Sequence, residues 1–250
     1  LNWTSALVQN GVARYIVELG YGYKTSEIAG TTEPLFTGLT KRGDVDVLME
    51  LWLPNQNEIW YDALRLGEVF SAGKSLEDNW QSTFLIPGYL QEQYPELDSV
   101  ENLKEPRYRE LFADSYSGGR AVLWGCVAGW ACRTIQEGSG VTPSQIESYG
   151  LSNHIDLRDP GTHEAMDANI RAAFSNKAPI LFYYWGPTAL MHDLGYPTGV
   201  VDLEQPDPSE CHYSSPAYGC AFPNAEIMIA LNVSLVNEAP ELVAFFQEWD

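Results

Sequence analysis

Asp44-Val45-Asp46-Val47-Leu48-Met49-Glu50-Leu51-Trp52 is the stretch that decides the fold class, because it is rich in apolar residues and has the length of a buried strand. An amphipathic helix is predicted upstream over Val8 to Leu19, where apolar residues recur at helical spacing, and Gly20 marks its end. Tyr21 to Thr25 alternates like a strand, and Gly38-Leu39 indicates another helix end. Helices and strands therefore alternate along this part of the chain.

The alternation continues downstream. Strands are predicted at Thr83–Ile86, Arg120–Gly125 and Pro179–Trp185, and a helix at Glu164–Phe174. Strands separated by helices predict parallel pairing through right-handed crossovers. The expected fold class is therefore α/β, doubly wound, with ligands bound at the carboxyl ends of the strands.

The chain is long enough for one large domain or for two lobes. Pro87-Gly88 and a segment rich in Pro, Gly and acidic residues, Pro197 to Pro208, both interrupt buried runs. We therefore expect one lobe of residues 1–87 plus 197–250 and a second lobe of residues 88–196, joined by two crossing segments. The Pro197 to Pro208 segment itself suits a return crossing or an exposed loop.

The charge excludes one class of partner. With 34 acidic and 14 basic residues, the formal net charge is −20, which repels nucleic acid. A solvated surface explains this charge better than attraction of a cationic ligand does. No apolar run reaches 18 residues, so no membrane span is predicted. The start, Leu1-Asn2-Trp3-Thr4, does not resemble a signal peptide, so we expect any secretory signal to have been removed or to lie outside this sequence.

Motifs of catalysis are missing from the sequence. It contains no G-x-S-x-G, no P-loop and no H-E-x-x-H, and His163-Glu164 lacks the second histidine of a zinc helix. We therefore predict that the protein is not an enzyme. An acidic pair assembled only in three dimensions is the alternative.

The four cysteines form two close pairs. Cys126 with Cys132, and Cys211 with Cys220, suit local disulfides and thus an oxidising compartment. Zinc binding is the alternative, although neither pair has the spacing of a zinc knuckle. We expect no cofactor.

Tryptophans at predicted strand ends are the strongest functional signal. Trp52 and Trp185 each close a strand, and Trp130 follows Gly129 within the Cys126–Cys132 segment, where a short cross-linked loop is expected to hold it outward. Tryptophan faces bind cations, so these three predict a cage for a methylated ammonium compound. Core packing explains the other candidates better, namely Trp60, Trp80, Trp124 and Trp249.

Further ligand contacts are predicted beside these rings. The backbone amides of Ala131 and Cys132 are candidate donors to an anionic end of the ligand. Glu50 shares a strand face with Trp52, so it could approach a cation or, if protonated, donate to an oxide. A solvent-facing charge is the equal alternative for Glu50.

Several stretches resemble the glycine betaine/choline-binding proteins of ABC transporters, the OpuAC/ProX-like group. The Cys126–Cys132 loop with its Gly129-Trp130 pair is the most specific. The other stretches are Glu18-Leu19-Gly20-Tyr21, Asp44–Trp52, Ile86-Pro87-Gly88-Tyr89-Leu90, Phe182-Tyr183-Tyr184-Trp185-Gly186-Pro187-Thr188 and Ala239-Pro240-Glu241-Leu242.

The resemblance implies a type II periplasmic-binding-protein fold of two doubly wound lobes, with the ligand in the cleft between them. It implies tryptophan contacts from Trp52, Trp130 and Trp185, with Trp3 as a fourth wall. It also implies a monomer outside the cytoplasm, in the periplasm or an equivalent space, that delivers its ligand to a membrane permease.

This sequence departs from the usual pattern of the group at two places, which leaves the choice among trimethylamine N-oxide, glycine betaine, choline and similar ligands open. The loop has Val127-Ala128 where a proline is usual, and Cys211 and Cys220 lie in an acidic insertion. The acidic residues there could bind structural Ca²⁺ or form a solvated loop; they are Asp202, Glu204, Asp207 and Glu210. A sensor domain and an enzyme acting on the same cations are the competing functions.

Overall fold

The computed structural model describes residues 1–53, 55–76, 81–137, 144–186, 188–207, 220–222 and 224–249. The chain divides into two compact units. Unit 1 comprises Leu1–Asn79 and Ala225–Asp250, and unit 2 comprises Trp80–Asn224. The chain therefore passes from one unit to the other twice.

The elements follow one another in chain order. The first segment of unit 1 contains α1 (Thr4–Gly20), α2 (Thr32–Thr37) with a π-helical turn (Gly38–Arg42), β1 (Val47–Leu53), α3 (Asn57–Leu66) and β2 (Val69–Lys74). Unit 2 begins with β3 (Gln81–Pro87), α4 (Gly88–Gln93), a 3₁₀ turn (Val100–Lys104), α5 (Pro106–Arg109), a second 3₁₀ turn (Glu110–Phe112) and β4 (Ala121–Trp124). It continues with α6 (Ala131–Glu137), α7 (Gln145–Ser148), β5 (Ile155–Arg158), α8 (His163–Ser175), β6 (Leu181–Gly186), α9 (Ala189–Asp193) and β7 (Val200–Asp202). The last segment of unit 1 contains β8 (Glu226–Asn232), α10 (Leu235–Glu238) and α11 (Pro240–Gln247).

Unit 1 is built on an antiparallel sheet with the strand order β1-β8-β2. In its register Val47 lies opposite Leu231, and Val69 lies opposite Asn232. Residues from α1, the sheet and the two C-terminal helices form one apolar cluster, which includes Val17, Met49 and Phe246. The buried strand predicted over Asp44–Trp52 is confirmed as β1, shifted by a few residues.

Unit 2 contains a mixed sheet with the order β5-β4-β6-β3-β7. Strand β4 is parallel to both β5 and β6, whereas β3 is antiparallel to both β6 and β7. The prediction of parallel pairing throughout is therefore wrong outside β4, β5 and β6. Helices connect β4 to β5 and β5 to β6, and these three strands lie next to one another in the sheet. Parallel neighbours need such crossover connections.

The unit boundaries differ from the expected ones, because β3 and residues 197–224 belong to unit 2. Pro87 pairs with Val200 of β7, and the Gly88 N–H donates to the Gly199 carbonyl at 2.8 Å. A Cβ on Gly88 would lie 2.0 Å from the Thr198 carbonyl oxygen. Pro87-Gly88 thus allows close packing inside unit 2, and the Pro197 segment contains a sheet strand as well as loop.

The predicted strand over Tyr21–Thr25 is also wrong. This segment has no regular secondary structure, and the backbone amides of Tyr21 and Tyr23 both donate to the Val17 carbonyl. Gly22 between them has a φ of 78°, a conformation in which glycine is favoured. The segment therefore caps α1, which ends at Gly20 as predicted.

The remaining strand and helix predictions are confirmed as β3, β4, β6 and α8. In the part of the chain that the structure describes, no helix has the length and apolar character needed to cross a bilayer.

Candidate functional site

The Glu50 side chain, in the middle of β1, is hydrogen-bonded to the other candidate residues of unit 1, Trp3 and Trp52. It is fully buried. Its Oε2 accepts hydrogen bonds from Trp3 Nε1 at 2.5 Å, from Ser5 Oγ at 3.1 Å and from Trp52 Nε1 at 3.2 Å. Its Oε1 accepts one from Gln9 Nε2 at 2.6 Å. The solvent-facing alternative for Glu50 is therefore wrong.

These bonds orient two indole rings. Trp3 precedes the first turn of α1, while Trp52 lies two residues beyond Glu50 on the same face of β1. Because both indole N–H groups point at one carboxylate, the planes of both rings are constrained by the same group. Trp3 is buried and Trp52 is half-buried. We call these two rings the unit 1 pair.

Trp130 and Trp185 form a second ring pair in unit 2. Their ring centroids lie 5.2 Å apart and their planes meet at 78°, an edge-to-face arrangement. Trp185 is the penultimate residue of β6, and Trp130 immediately precedes α6. Among the described residues, the buried Trp185 Nε1 has no hydrogen-bond acceptor. We call these two rings the unit 2 pair.

The prediction that Trp130 is held outward is wrong, since only 6% of it is exposed. The structure contains the Cys126–Cys132 disulfide, and Gly129 in this loop has a φ of 85°. The short loop turns the Trp130 ring onto Trp185 instead of into solvent. Ala131 and Cys132 open α6, and the first N–H groups of a helix lack carbonyl acceptors within it.

His163, at the start of α8, packs against both rings of the unit 2 pair. Its ring centroid lies 5.3 Å from that of Trp185 and 5.8 Å from that of Trp130. Its Nε2 lies 3.1 Å from the Tyr184 hydroxyl, which itself donates to Asp167 Oδ1 at 2.6 Å. Burial, reinforced by Asp167, raises the pKa of Tyr184, so this hydroxyl keeps its proton.

This network sets the tautomer of neutral His163. The single proton of the Tyr184 hydroxyl is used by Asp167, so the hydroxyl oxygen can only accept from the imidazole. His163 therefore carries its proton on Nε2, and that N–H also lies 3.5 Å from Asp167 Oδ1.

Sequence reasoning missed Ser5, Gln9, His163, Tyr184 and Asp167. The only signal for His163 was its place in an incomplete zinc motif. Ser5 and Gln9 lie 45 and 41 residues from Glu50, so only the fold brings them together.

The other tryptophans divide by burial. Trp60 is 2% exposed, as predicted for a core residue. Trp124 and Trp249 are half-buried, and Trp249 packs at the edge of the unit 1 cluster. Trp80 lies outside the described residues.

Two predicted features also extend outside the described residues. Cys220 is buried, but Cys211 is not described, and the same holds for Glu210 of the acidic segment. No group of three or more His, Cys, Asp or Glu residues suited to a metal ion occurs within the described ranges. Calcium binding at Asp207 and Glu210, the roles of the individual site residues and a ligand between the lobes stay predictions.

Solved structures identify the class of fold. A ProX protein from Borrelia burgdorferi superposes on this chain with a TM-score of 0.74 at 18% identity. The match covers 100% of this chain and 79% of that one. A lactococcal OpuAC in complex with glycine betaine gives a TM-score of 0.70 at 17% identity, with 100% of this chain and 81% of that one covered. The fold is thus that of the periplasmic binding proteins of the OpuAC type, and the predicted fold class is confirmed.

The sequence places the chain within this class. It belongs to the family of substrate-binding domains of ABC-type glycine betaine transport systems, whose profile matches residues 1–250. It is 27% identical over 196 residues to the glycine betaine/proline betaine-binding periplasmic protein of Escherichia coli strain K12, covering 78% of this chain and 56% of the relative. It is 26% identical over 177 residues to the glycine betaine-binding periplasmic protein OusX of Dickeya dadantii strain 3937, covering 70% and 49%. The chain therefore spans about half the length of these curated relatives.

Proposed function

We propose that this protein is the extracytoplasmic substrate-binding component of an ABC importer and that it binds a small trimethylated ammonium compound through its two tryptophan pairs. One observation carries the proposal: in a chain of this family, each unit holds two indole rings in fixed orientations. Hydrogen bonds to the buried Glu50 orient the unit 1 pair, and edge-to-face contact orients the unit 2 pair. We propose a monomer that passes its ligand to a membrane permease.

The rings supply part of the binding free energy. A cation over a tryptophan face gains about 0.5–2 kcal/mol, so each ring pair supplies at most about 1–4 kcal/mol. Micromolar affinity needs about 8 kcal/mol. Burial of the ligand's methyl groups adds about 0.8 kcal/mol for each CH₂-sized group removed from water. A trimethylated head therefore suits these residues better than a bare ammonium ion.

An anionic group on the ligand would find donors in unit 2. The buried Trp185 Nε1 lacks an acceptor among the described residues, and leaving such a donor unpaired costs about 1–3 kcal/mol. The amides at the start of α6 are further candidates. This favours glycine betaine or trimethylamine N-oxide, which carry an anionic oxygen, over choline.

In this proposal Glu50 supports ligand binding indirectly, through the indole rings that it orients. Four donors already occupy its two oxygens, so its contribution is to hold Trp3 and Trp52 in place. A direct contact of Glu50 with the ligand is therefore not needed for binding.

Calorimetric titration with glycine betaine, trimethylamine N-oxide and choline tests the proposal. We expect saturable binding of at least one of them, and weaker binding of 3,3-dimethylbutanoate, which replaces the charged nitrogen of glycine betaine by carbon. Trp185→Ala and Trp52→Ala should each weaken binding by about 1–3 kcal/mol. NMR spectra of the ligand after prolonged incubation should be unchanged, since an importer component releases its ligand intact.

Trp60→Phe provides the matched control, because Trp60 is a buried tryptophan of α3 in the core of unit 1. It should lower the free energy of unfolding and leave the affinity of the folded protein unchanged. Equal affinity for the neutral analogue and the cation would disprove the cation–π basis of binding. No binding of any methylated amine would disprove the proposed function.

A further inference from the structure

We propose that His163 is a positioning residue of the unit 2 pair whose neutral imidazole supports ligand binding and whose protonation weakens it. This inference rests on the proposed function, because it concerns a cation bound at Trp130 and Trp185. It adds a proton-sensitive element to that site.

The first step is geometric. The His163 ring contacts both tryptophans, and its plane lies 31° from that of Trp185 at a centroid separation of 5.3 Å. The Tyr184 ring adds a further contact to His163 at 6.3 Å. The imidazole is thus in ring contact with both tryptophans, and only 7% of it is exposed.

The second step concerns charge. Neutral His163 donates from Nε2 to the Tyr184 hydroxyl, and protonation on Nδ1 keeps this bond. Protonation therefore changes the charge beside the rings without removing the contact that positions them. An imidazolium interacts with the same aromatic rings as the ammonium ligand and repels it.

The charged groups around His163 do not cancel this effect. On α8 the neighbouring charges are Glu164 and Asp167, with Arg171 one turn further along. Glu164 is exposed, and bonds to backbone and hydroxyl groups at the helix start hold its pKa below its usual value. Asp167 Oδ1 lies 3.5 Å from His163 Nε2 and is the nearest carboxylate on α8.

Other ionisable side chains lie on β6, on α6 and in the loop before α8. From β6 comes the Tyr184 hydroxyl, whose raised pKa keeps it neutral. From α6 comes Arg133, paired with Glu137. From the loop before α8 comes Asp159, which accepts from the amides of Ala128 and Gly161. Of all these groups, only histidine has an ordinary pKa between 5 and 8.

The direction of the effect follows. A bound cation favours neutral His163, so affinity should be highest above the titration range of histidine and fall as the pH drops through it. The imidazolium and the ligand's ammonium group would be separated by the tryptophan rings. Repulsion between two unit charges at such a distance, in a partly screened site, lowers affinity by about tenfold. By linkage, a ligand that favours the neutral imidazole releases a proton when it binds to the protonated form.

The test uses glycine betaine, whose quaternary charge is constant between pH 5 and pH 8, titrated calorimetrically into the whole protein. We expect binding about tenfold weaker at pH 5 than at pH 8. Titrations at pH 6 in two buffers of different ionisation enthalpy should reveal proton release on binding. His163→Gln, which keeps an amide donor and cannot ionise, should bind with little pH dependence and release no protons.

His192→Gln is the control, since His192 lies on α9 with a side chain 92% exposed and should leave the pH profile unchanged. Affinity equal at pH 5 and pH 8 without proton release would overturn the inference and leave the proposed function standing. A full pH dependence in His163→Gln would overturn it as well. Absence of glycine betaine binding at every pH would instead remove the proposed function on which it rests.

Discussion

Replacement of Glu50 by glutamine tests whether one buried carboxylate orients the unit 1 pair. The change keeps the volume of the side chain and one carbonyl oxygen, but it converts one acceptor into an NH₂ group that faces existing donors. Two of those donors, Trp3 Nε1 and Gln9 Nε2, belong to residues that are 6% and 7% exposed, so water cannot replace the lost acceptor easily.

The magnitude follows from the number of donors left unpaired. One buried donor without an acceptor costs about 1–3 kcal/mol, which is the expected loss in the free energy of unfolding for Glu50→Gln. Glu50→Ala leaves both buried donors unpaired and should cost about 2–6 kcal/mol. Looser indole rings should also reduce ligand affinity by about five- to fiftyfold, which corresponds to about 1–2.3 kcal/mol.

Urea denaturation gives the stability, and calorimetric titration of the folded protein gives the affinity. Glu33→Gln on α2 is the control, because this glutamate is exposed and should change neither quantity. If Glu50→Gln left both the unfolding free energy and the affinity unchanged, the proposed role of the carboxylate would be wrong. A loss of affinity at unchanged stability would assign Glu50 to direct ligand contact instead.

Two further predictions concern stability alone. Hydrogen bonds from Arg158, followed by backbone amides, lower the pKa of Asp114 to about 2, so this pair stabilises the folded state above about pH 4 and loses its effect as the pH falls through about 2. Asp114→Asn should therefore flatten the fall in urea midpoint between pH 4 and pH 2.5, and an unchanged slope would contradict this assignment. Gly88→Ala should destabilise the protein by more than about 1 kcal/mol, because its Cβ would meet a backbone carbonyl oxygen at 2.0 Å. Gly11→Ala, within α1 and with open space around the new Cβ, should stabilise it by about 0.5–1 kcal/mol, and the same sign for both variants in thermal unfolding would refute the packing argument.

The secondary structure was largely predictable because hydrophobic periodicity is a local property. The run ending at Trp52 marks a buried strand, and the helical spacing over Val8 to Leu19 marks a helix. That spacing did not give the buried face of the helix, because Val8, Val12 and Leu19 are exposed. Ala6, Gln9, Ala13 and Val17 are buried instead. Tyr21 to Thr25 shows the limit of that signal, since alternation of side chains also fits a segment that caps a helix. Strand direction was not predictable in the same way, because periodicity says nothing about which strands become neighbours.

Residue chemistry alone pointed to the tryptophans and to the disulfide. Trp52 and Trp185 lie at strand ends, where α/β proteins place ligands, and Cys126 lies close enough in sequence to Cys132 for a local bond. Both features involve short separations along the chain, so the sequence contains the information directly.

The tertiary structure decided how those rings are held. Glu50 meets Gln9 and Trp3 across more than 40 residues, and His163 meets Trp130 from a different helix. Such contacts depend on the relative placement of whole elements, which results from the packing of the entire core and which no local pattern encodes. The sequence by itself therefore determined which side chains have the chemistry of a cation site. Only folding determined that a buried carboxylate orients two of the rings and that a histidine supports the other two.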